Sequence, residues 1–176
     1  MLKMFTTQLQ GVFKKIEEKE TMNIEEGARL LSQALIGEGT VYIYGFDELK
    51  AVELTATMGP ETLNGARSLN VENDLADVTS LDRVLLVTRY STDPEAIQLA
   101  KTLLEKGIPT VAVSCVVNQE QECLHHIVDV HIDSQLSIGL LPDEVGGRFG
   151  LPTAVIALYT YYGLYFTIQE ILDEYE

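Results

Sequence analysis

Hydroxyl groups and a guanidinium group are concentrated in the bend that follows the apolar stretch VLLV in the middle of the chain. The residues of this bend are Thr88, Arg89, Tyr90, Ser91 and Thr92. Pro94 opens the pattern PEAIQLAKTLLEKG, which is typical of a helix with proline at its first position. Free backbone N–H groups at a helix start, with hydroxyl donors and a cation beside them, predict a site for a phosphate or a similar small anion. The alternative is a plain strand-to-helix turn in which Ser91 fills the turn and Thr92 or Asp93 caps the helix.

A second polar segment, GFDEL, overlaps the end of the apolar stretch TVYIYG. Short β-branched and aromatic runs bounded by glycine indicate strands buried on both faces, and here a helical pattern follows at once. Ligands of open parallel sheets bind outside the carboxyl ends of the strands, where the chain changes direction. We therefore place Gly45, Phe46 and Asp47 in one predicted crevice with the first bend.

A glycine-rich segment near the end of the chain supplies two further candidate ligand residues. Residues 134–152 hold four glycines and two prolines, and long loops in compact domains are often functional. Glu144 and Arg148 flank two glycines, which permit close approach of the backbone to a ligand. A solvated loop with an internal pair between Asp143 and Arg148 is the alternative.

Side chains suited to acid–base chemistry are few, and the candidates are Glu48, His125 and His126. Adjacent residues diverge by about 100° on a helix and point to opposite faces on a strand, so the two histidines are not expected to serve one metal ion or one proton path. The chain has no CxxC pair and no HxxxH spacing, and we expect no metal site and no cofactor. Cys115 and Cys123 are expected to be reduced and buried.

Composition restricts the class of partner. The 176 residues include 27 acidic and 12 basic side chains, with a formal charge of −15, so we expect no binding to nucleic acid or to anionic membranes. Residues 151–168 carry no charge and are marginal for a membrane span; their proline, threonines, tyrosines and glycine favour a helix buried all round, partly by a second subunit. No apolar signal core is evident in the N-terminal helical pattern, and the cytoplasm is the expected location.

Helical and strand patterns alternate along the chain and predict one domain over residues 1–176. Its predicted parts are N-terminal helices at 1–36, an α/β core at 40–132 and a long C-terminal helix at 151–174. Asn23 is the predicted cap of the second helix and Asp47 that of the third. Strands that alternate with helices pair in parallel through right-handed crossovers. The predicted fold class is a three-layer α/β/α sandwich with a mostly parallel sheet of four to five strands.

This order of elements, together with the stretch DRVLLVTRYSTDPEAIQLAKTLLEKGIPTVAVS, resembles the sugar isomerase (SIS) domain. Members of that family bind phosphosugars as isomerases, transferases or regulators. Among bacterial SIS-like proteins, the chain is similar to a small acidic group sometimes labelled phosphoheptose isomerase. The resemblance covers most of the chain and implies a phosphosugar, or a similar small anion, as the partner.

The chain departs from the family pattern at both phosphate loops. The first family loop is a GNGGS-like turn, and here Gly45 is kept while Leu49 replaces the phosphate-binding serine. In the second, STSG-like loop, Thr88 keeps a hydroxyl, whereas Tyr90 and Asp93 replace two others. Isomerases of the family share a glutamate and a histidine at the start of the last helix for proton transfer. The segment RFGLPTAV has neither.

The resulting functional expectation is a phosphosugar-binding protein with degraded catalytic loops. Two alternatives stay open: an aldose–ketose phosphosugar isomerase with Glu48 as base and His125 or His126 as acid, and a non-catalytic regulatory protein that acts through protein contacts. If the chain is an enzyme, the resemblance implies a sugar-phosphate isomerase. We expect a homodimer or higher homo-oligomer formed through the first and last helices, because tyrosines occupy more than one face of the last helix.

Overall fold

Helices and strands alternate through most of the computed structural model, which describes residues 1–118 and 120–175. The helices are α1 (Leu2–Ile36), α2 (Lys50–Met58), α3 (Pro94–Glu105) and α4 (Thr153–Tyr175). The strands are β1 (Val41–Gly45), β2 (Ala66–Ser68), β3 (Arg83–Tyr90), β4 (Thr110–Cys115), β5 (Val130–Asp133), β6 (Leu141–Pro142) and β7 (Arg148–Phe149). Two short 3₁₀ helices, Asp47–Leu49 and Leu124–His126, precede α2 and β5.

Five strands form one parallel sheet in the order β2-β1-β3-β4-β5, which confirms the predicted fold class. The chain first adds β2 on one side of β1 and then adds β3 on the other side. The direction in which the sheet grows therefore reverses between β1 and β3, and such a reversal is where ligands of open parallel sheets bind. β6 and β7 form a separate antiparallel hairpin.

Alternate residues of β3 pack in two different hydrophobic cores. Leu85 and Val87 lie in the core under α1, α2 and α4, whereas Val84 and Leu86 lie in the core under α3. A central parallel strand that is covered on both faces needs an apolar residue at every position, which is why VLLV shows no alternation. The helices thus cover both faces of the sheet, and the loops at the carboxyl ends of the strands form the predicted ligand edge.

The N-terminal region forms one helix of 35 residues, α1, so the prediction of two helices with Asn23 as a cap is wrong. Asn23 lies inside the helix, and its side-chain amide donates to Glu20 Oε2 at 2.9 Å. Glu20 is buried and also accepts a hydrogen bond from the Asp133 N–H at 3.1 Å. Contacts with β5 and α4 therefore keep the helix continuous through a residue type that favours helix starts.

The predicted cap at Asp47 is also wrong. Asp47 lies in the first 3₁₀ helix with a φ of +51°, and α2 begins only at Lys50. No side-chain hydrogen bond caps the start of α2. Aspartate tolerates the left-handed conformation better than most residues, and this conformation leaves its carboxylate available to the neighbouring strand.

The uncharged helix α4 is buried along one side only. Its buried residues are Ile156, Ala157, Thr160, Tyr161, Leu164 and Ile168. Phe166 is 57% exposed and Val155 is 45% exposed, so a single chain does not provide the predicted burial all round. Within the described ranges, none of the helices has the length and apolar character needed to cross a membrane.

Candidate functional site

The carboxyl end of β1 forms a tight backbone turn over residues 45–49. A Cβ atom on Gly45 would lie 2.2 Å from the Leu49 carbonyl oxygen, so the turn requires glycine there. The Phe46 N–H donates to the Val87 carbonyl at 2.9 Å and ties the turn to β3, while the Phe46 ring packs in the core under α3. Backbone packing therefore accounts for Gly45, and the buried Leu49 adds no polar group to the crevice.

The bend after β3 begins later than the sequence predicts. β3 continues through Tyr90, with a register shift between Val87 and Tyr90, so Thr88 and Arg89 are strand residues. The Asp93 carboxylate turns back into this bend and accepts hydrogen bonds from the Thr88 hydroxyl and from the Tyr90 N–H, the latter at 3.3 Å. Asp93 thus places a negative charge beside the predicted anion position, which opposes a second anion there.

The start of α3 has no side-chain cap, so neither Thr92 nor Asp93 plays the predicted capping role. Ser91 is fully buried, and its backbone N–H donates to the Cys115 carbonyl at 2.8 Å. The Ser91 hydroxyl has no hydrogen-bond partner in the part of the chain that the structure describes. Ser91 therefore fills the turn, as the alternative interpretation predicts.

Arg89 is the cation of the crevice, and two carboxylates neutralise it. Its Nε donates to Glu48 Oε1 at 2.7 Å and its Nη2 donates to Glu48 Oε2, while Asp47 Oδ2 lies 3.5 Å from Nη1. Glu48 also accepts a hydrogen bond from the Thr153 hydroxyl at the start of α4. The hydrogen bond from Arg89 is the main cause that lowers the pKa of Glu48 to about 2, and Glu48 in turn raises the pKa of Arg89.

The cavity beneath Arg89 is too small for a sugar. Its volume is about 10 Å³, close to the ~10–15 Å³ that one water molecule needs. The residues that line it are Leu49, Thr88, Arg89, Val113, Ser134, Leu136, Thr153, Ile156 and Ala157. A ligand of the crevice must therefore bind at its open mouth, beside the guanidinium, or displace side chains.

Glu144 and Arg148 lie apart from this crevice. Arg148 donates to two backbone carbonyls of the 139–140 segment, at 2.6 and 2.8 Å, and lines a separate cavity of about 320 Å³ next to α1. Asp143 accepts hydrogen bonds from two backbone N–H groups of its own turn, so the alternative of an Asp143–Arg148 pair is wrong. Glu144 is exposed. The structure does not bring either candidate together with Arg89.

His125 and His126 converge, contrary to the sequence-based expectation. Both lie in the second 3₁₀ helix with ring centroids 4.1 Å apart, and Cys123 immediately precedes that helix. One ligand atom from each of these three residues lies within 4.8 Å of the other two. The prediction that the two histidines point apart is wrong, because it assumed an α-helix or a strand where a tighter turn forms.

His131 lies next to this cluster and is a satisfied histidine, as predicted. Its Nε2 shares a hydrogen bond of 2.7 Å with Ser114 Oγ, and its ring centroid lies 5.8 Å from that of His125. Burial is the main cause that lowers the pKa of His131 to about 4, with a smaller contribution from His125. Burial also lowers the pKa of His125, followed by the effect of His126.

Sequence analysis missed two polar residues of the crevice, Ser134 and Thr153. Ser134 follows β5, and Thr153 is the first residue of α4. Each lies far along the chain from Arg89, and neither forms part of a recognisable motif. The one available signal is position, because Ser134 follows the carboxyl end of a predicted strand and Thr153 lies near the start of the predicted last helix.

Known proteins share this fold and sequence. The chain is 43% identical over 175 residues to the uncharacterized protein YwjG of Bacillus subtilis (strain 168), with 99% of both chains covered. The Escherichia coli CFT073 protein c3406, solved in complex with a phosphosugar, superposes with a TM-score of 0.67 at 13% identity, over 99% of this chain and 90% of that chain. A phosphoheptose isomerase from Francisella tularensis superposes with a TM-score of 0.65 at 10% identity, over 94% of this chain and 92% of that chain.

The two superpositions identify the fold as that of sugar isomerase proteins, as the sequence resemblance predicts. At the family level, the match is to the domain of unknown function DUF2529, whose model covers residues 1–172. The chain therefore belongs to the DUF2529 family.

Proposed function

We propose that the chain is a non-catalytic phosphosugar-binding protein. The observation that carries this proposal is the position of Arg89, whose guanidinium lies at the switch point between β1 and β3 with 42% of its side chain exposed. The hydroxyl-bearing residues Thr88 and Thr153 line the cavity beside it. The c3406 protein, which shares the fold, was solved with a bound phosphosugar, and this supports a ligand of the same class.

Ligand binding in this crevice requires an exchange of partners at Arg89. Glu48 and Asp47 neutralise the guanidinium in the free protein. A phosphate would replace Glu48 on Arg89, since the planar guanidinium pairs with carboxylate and phosphate in the same bidentate manner. The released Glu48 carboxylate would then accept hydrogen bonds from sugar hydroxyls. Affinity should therefore depend on both residues, with opposite signs.

The crevice gives little support for isomerase activity. The pKa of Glu48, the candidate base, is lowered to about 2, chiefly by the hydrogen bond from Arg89. A general base works best when its pKa lies near the operating pH. The candidate acids His125 and His126 cluster with Cys123 and do not line the described cavity beneath Arg89. Ligand binding without turnover is therefore the better-supported function.

Isothermal titration calorimetry with a panel of phosphosugars tests this proposal. Arg89→Ala is expected to weaken binding roughly 10- to 150-fold, because a hydrogen bond to a charged group contributes ~1.5–3 kcal/mol. Glu48→Gln is expected to strengthen binding roughly 3- to 10-fold, because it removes a partly exposed competing charge. Arg29→Ala is the matched control and should leave affinity unchanged, since Arg29 is an exposed α1 residue paired with Glu25 at 3.7 Å.

Failure of both the wild type and Glu48→Gln to bind any phosphosugar would contradict the proposal. That result would favour a second candidate function, a non-catalytic regulatory protein that acts through protein contacts. The observation behind this second function is an apolar groove of about 400 Å³ between α1 and α4, which Tyr159 and Phe166 help to line. Large exposed apolar surfaces of this kind mark interaction sites.

A further inference from the structure

We propose that Cys123, His125 and His126 form a binding site for a divalent metal ion, and that their donor set selects zinc. One thiol and two imidazoles are ligands that zinc sites use. Each of the three residues places a ligand atom within 4.8 Å of the other two. The site lies beside β5 on the α3 face of the sheet, and it is independent of the phosphosugar proposal.

The 3₁₀ helix explains how four consecutive residues can supply three ligands. Residues i and i+3 eclipse each other in a 3₁₀ helix, and Cys123 at the N-cap is thereby brought to the same side as His126. Leu124 points the other way into the core under α3, is fully buried, and donates its N–H to the Ser91 carbonyl at 2.8 Å. The core thus holds the turn in the conformation in which the other three side chains converge.

An unsatisfied nitrogen in this cluster lacks a partner that the protein could supply. Nδ1 of His125 is buried and has no hydrogen-bond partner in the ranges 1–118 and 120–175. Buried polar atoms in proteins are nearly always paired, and an imidazole nitrogen is the commonest metal ligand. Coordination through Nδ1 would pair this atom.

Neighbouring polar groups are already paired, and this assigns the ligand role to the three residues named. Glu122 forms an ion pair with Lys101 at 2.6 Å. His131 is hydrogen-bonded to Ser114, so it supports the cluster from the sheet side rather than joining it. Three protein ligands leave a fourth tetrahedral position open to water, on the side where His126 is exposed to solvent.

Metal binding requires small movements and the loss of one proton. With Zn–S near ~2.3 Å and Zn–N near ~2.0–2.1 Å, the ligand atoms of a tetrahedral site lie about 3.3–3.6 Å apart. The present spread of up to 4.8 Å must therefore shrink, and rotation of the exposed His126 side chain allows this. The Cys123 thiol now donates to the Gln121 carbonyl at 2.8 Å, and its proton passes to solvent when the thiolate coordinates the ion.

Titration of the untagged full-length chain with cobalt(II), followed by zinc(II) in competition with a chromophoric chelator, tests this proposal. We expect one ion per chain and thiolate-to-cobalt charge-transfer absorption. Cys123→Ser should abolish that absorption. His126→Ala should weaken zinc binding by more than the roughly 10- to 100-fold that loss of a second-shell partner costs. Cys115→Ser removes the other buried free thiol and is the matched control, with binding equal to that of the wild type.

His126→Ala keeps the test decisive if the buried Cys123 variant fails to fold, because His126 is exposed and its loss leaves the core intact. Absence of charge-transfer absorption in the wild type would overturn the proposal. It would also be overturned if the absorption persisted in Cys123→Ser, or if His126→Ala bound zinc as tightly as the wild type.

Discussion

The pair between Arg89 and Glu48 decides, at the scale of single residues, what the crevice can bind. Arg89 is identifiable from the sequence as a candidate cation, but its partner lies 41 residues earlier in the chain. An acidic residue in a first helical turn predicts only a favourable interaction with the helix dipole. The positive φ of Asp47 and the 3₁₀ turn that follows place both carboxylates next to β3 instead. The sequence could therefore predict the candidate residues but not the charge of the site.

Loss of Arg89 is expected to raise the pKa of Glu48 from about 2 toward the ~4.3 that is usual for glutamate. Because the folded-state pKa is depressed, the stabilisation from this pair is present above the unfolded-state pKa and is lost as the pH falls toward about 2. The stabilisation is small because both side chains are partly exposed.

NMR titration of the Glu48 carboxyl group in the wild type and in Arg89→Gln measures this shift. Thr153→Ala is the comparison variant and should raise the pKa less, since the hydrogen bond from Thr153 is a weaker cause of the depression. An identical pKa in the wild type and Arg89→Gln would show that the pair does not form in solution.

At the scale of elements, pattern analysis predicted the helices and strands whose residues repeat with the structural period. β3 and α3 lie where the apolar run and the segment beginning at Pro94 predict them. The two 3₁₀ helices escaped prediction, because three residues are too few to show a period. They nevertheless position Glu48 and the histidine pair, so the candidate functional side chains lie in the elements that a sequence resolves least well.

Helix α1 shows tertiary contacts prevailing over a local signal, and Glu20 is the residue that makes them. Glu20→Ala is expected to lower the free energy of unfolding by about 2–3 kcal/mol, as for lost hydrogen bonds to a buried charged group. The Asp133 N–H and the Gln135 side-chain amide would lose their acceptor, to which they now donate at 3.1 and 3.2 Å.

Urea denaturation followed by circular dichroism measures the effect of Glu20→Ala. Glu18→Ala is the matched control on the same helix, because Glu18 is 60% exposed and pairs with Lys14 at 3.6 Å. Its expected effect is within ~0.5 kcal/mol. Equal unfolding midpoints for the two variants would mean that Glu20 does not hold α1 against the sheet.

At the scale of the whole molecule, the apolar groove between α1 and α4 is the largest contrast with an otherwise acidic chain. Tyr159 stacks on Phe13 with ring centroids 4.2 Å apart and is 37% exposed, and Phe166 is 57% exposed. The acidic residues Glu17 and Glu25 also line the groove. An apolar centre with a charged rim is the organisation of a protein–protein interface, and the predicted role of the first and last helices in self-association remains consistent with it.

We therefore expect a homodimer or higher homo-oligomer at roughly tens of micromolar protein, with Phe166→Glu shifting it to monomers. The carboxylate would have to be buried without a partner at the interface, and the cost of that desolvation exceeds what the remaining contacts supply. Val145→Glu makes the same change at a residue that is 92% exposed in the β6–β7 turn, and it should keep the wild-type mass.

Size-exclusion chromatography with light scattering measures the mass of each variant. Because every subunit carries a formal charge of −15, added salt should screen repulsion between subunits and strengthen the assembly, whereas an interface held by ion pairs would weaken. A monomeric wild type would contradict self-association, and dissociation of Val145→Glu to the same extent as Phe166→Glu would attribute the effect to added charge. Dissociation confined to Phe166→Glu, with salt strengthening the wild-type assembly, would assign the interface to the apolar groove.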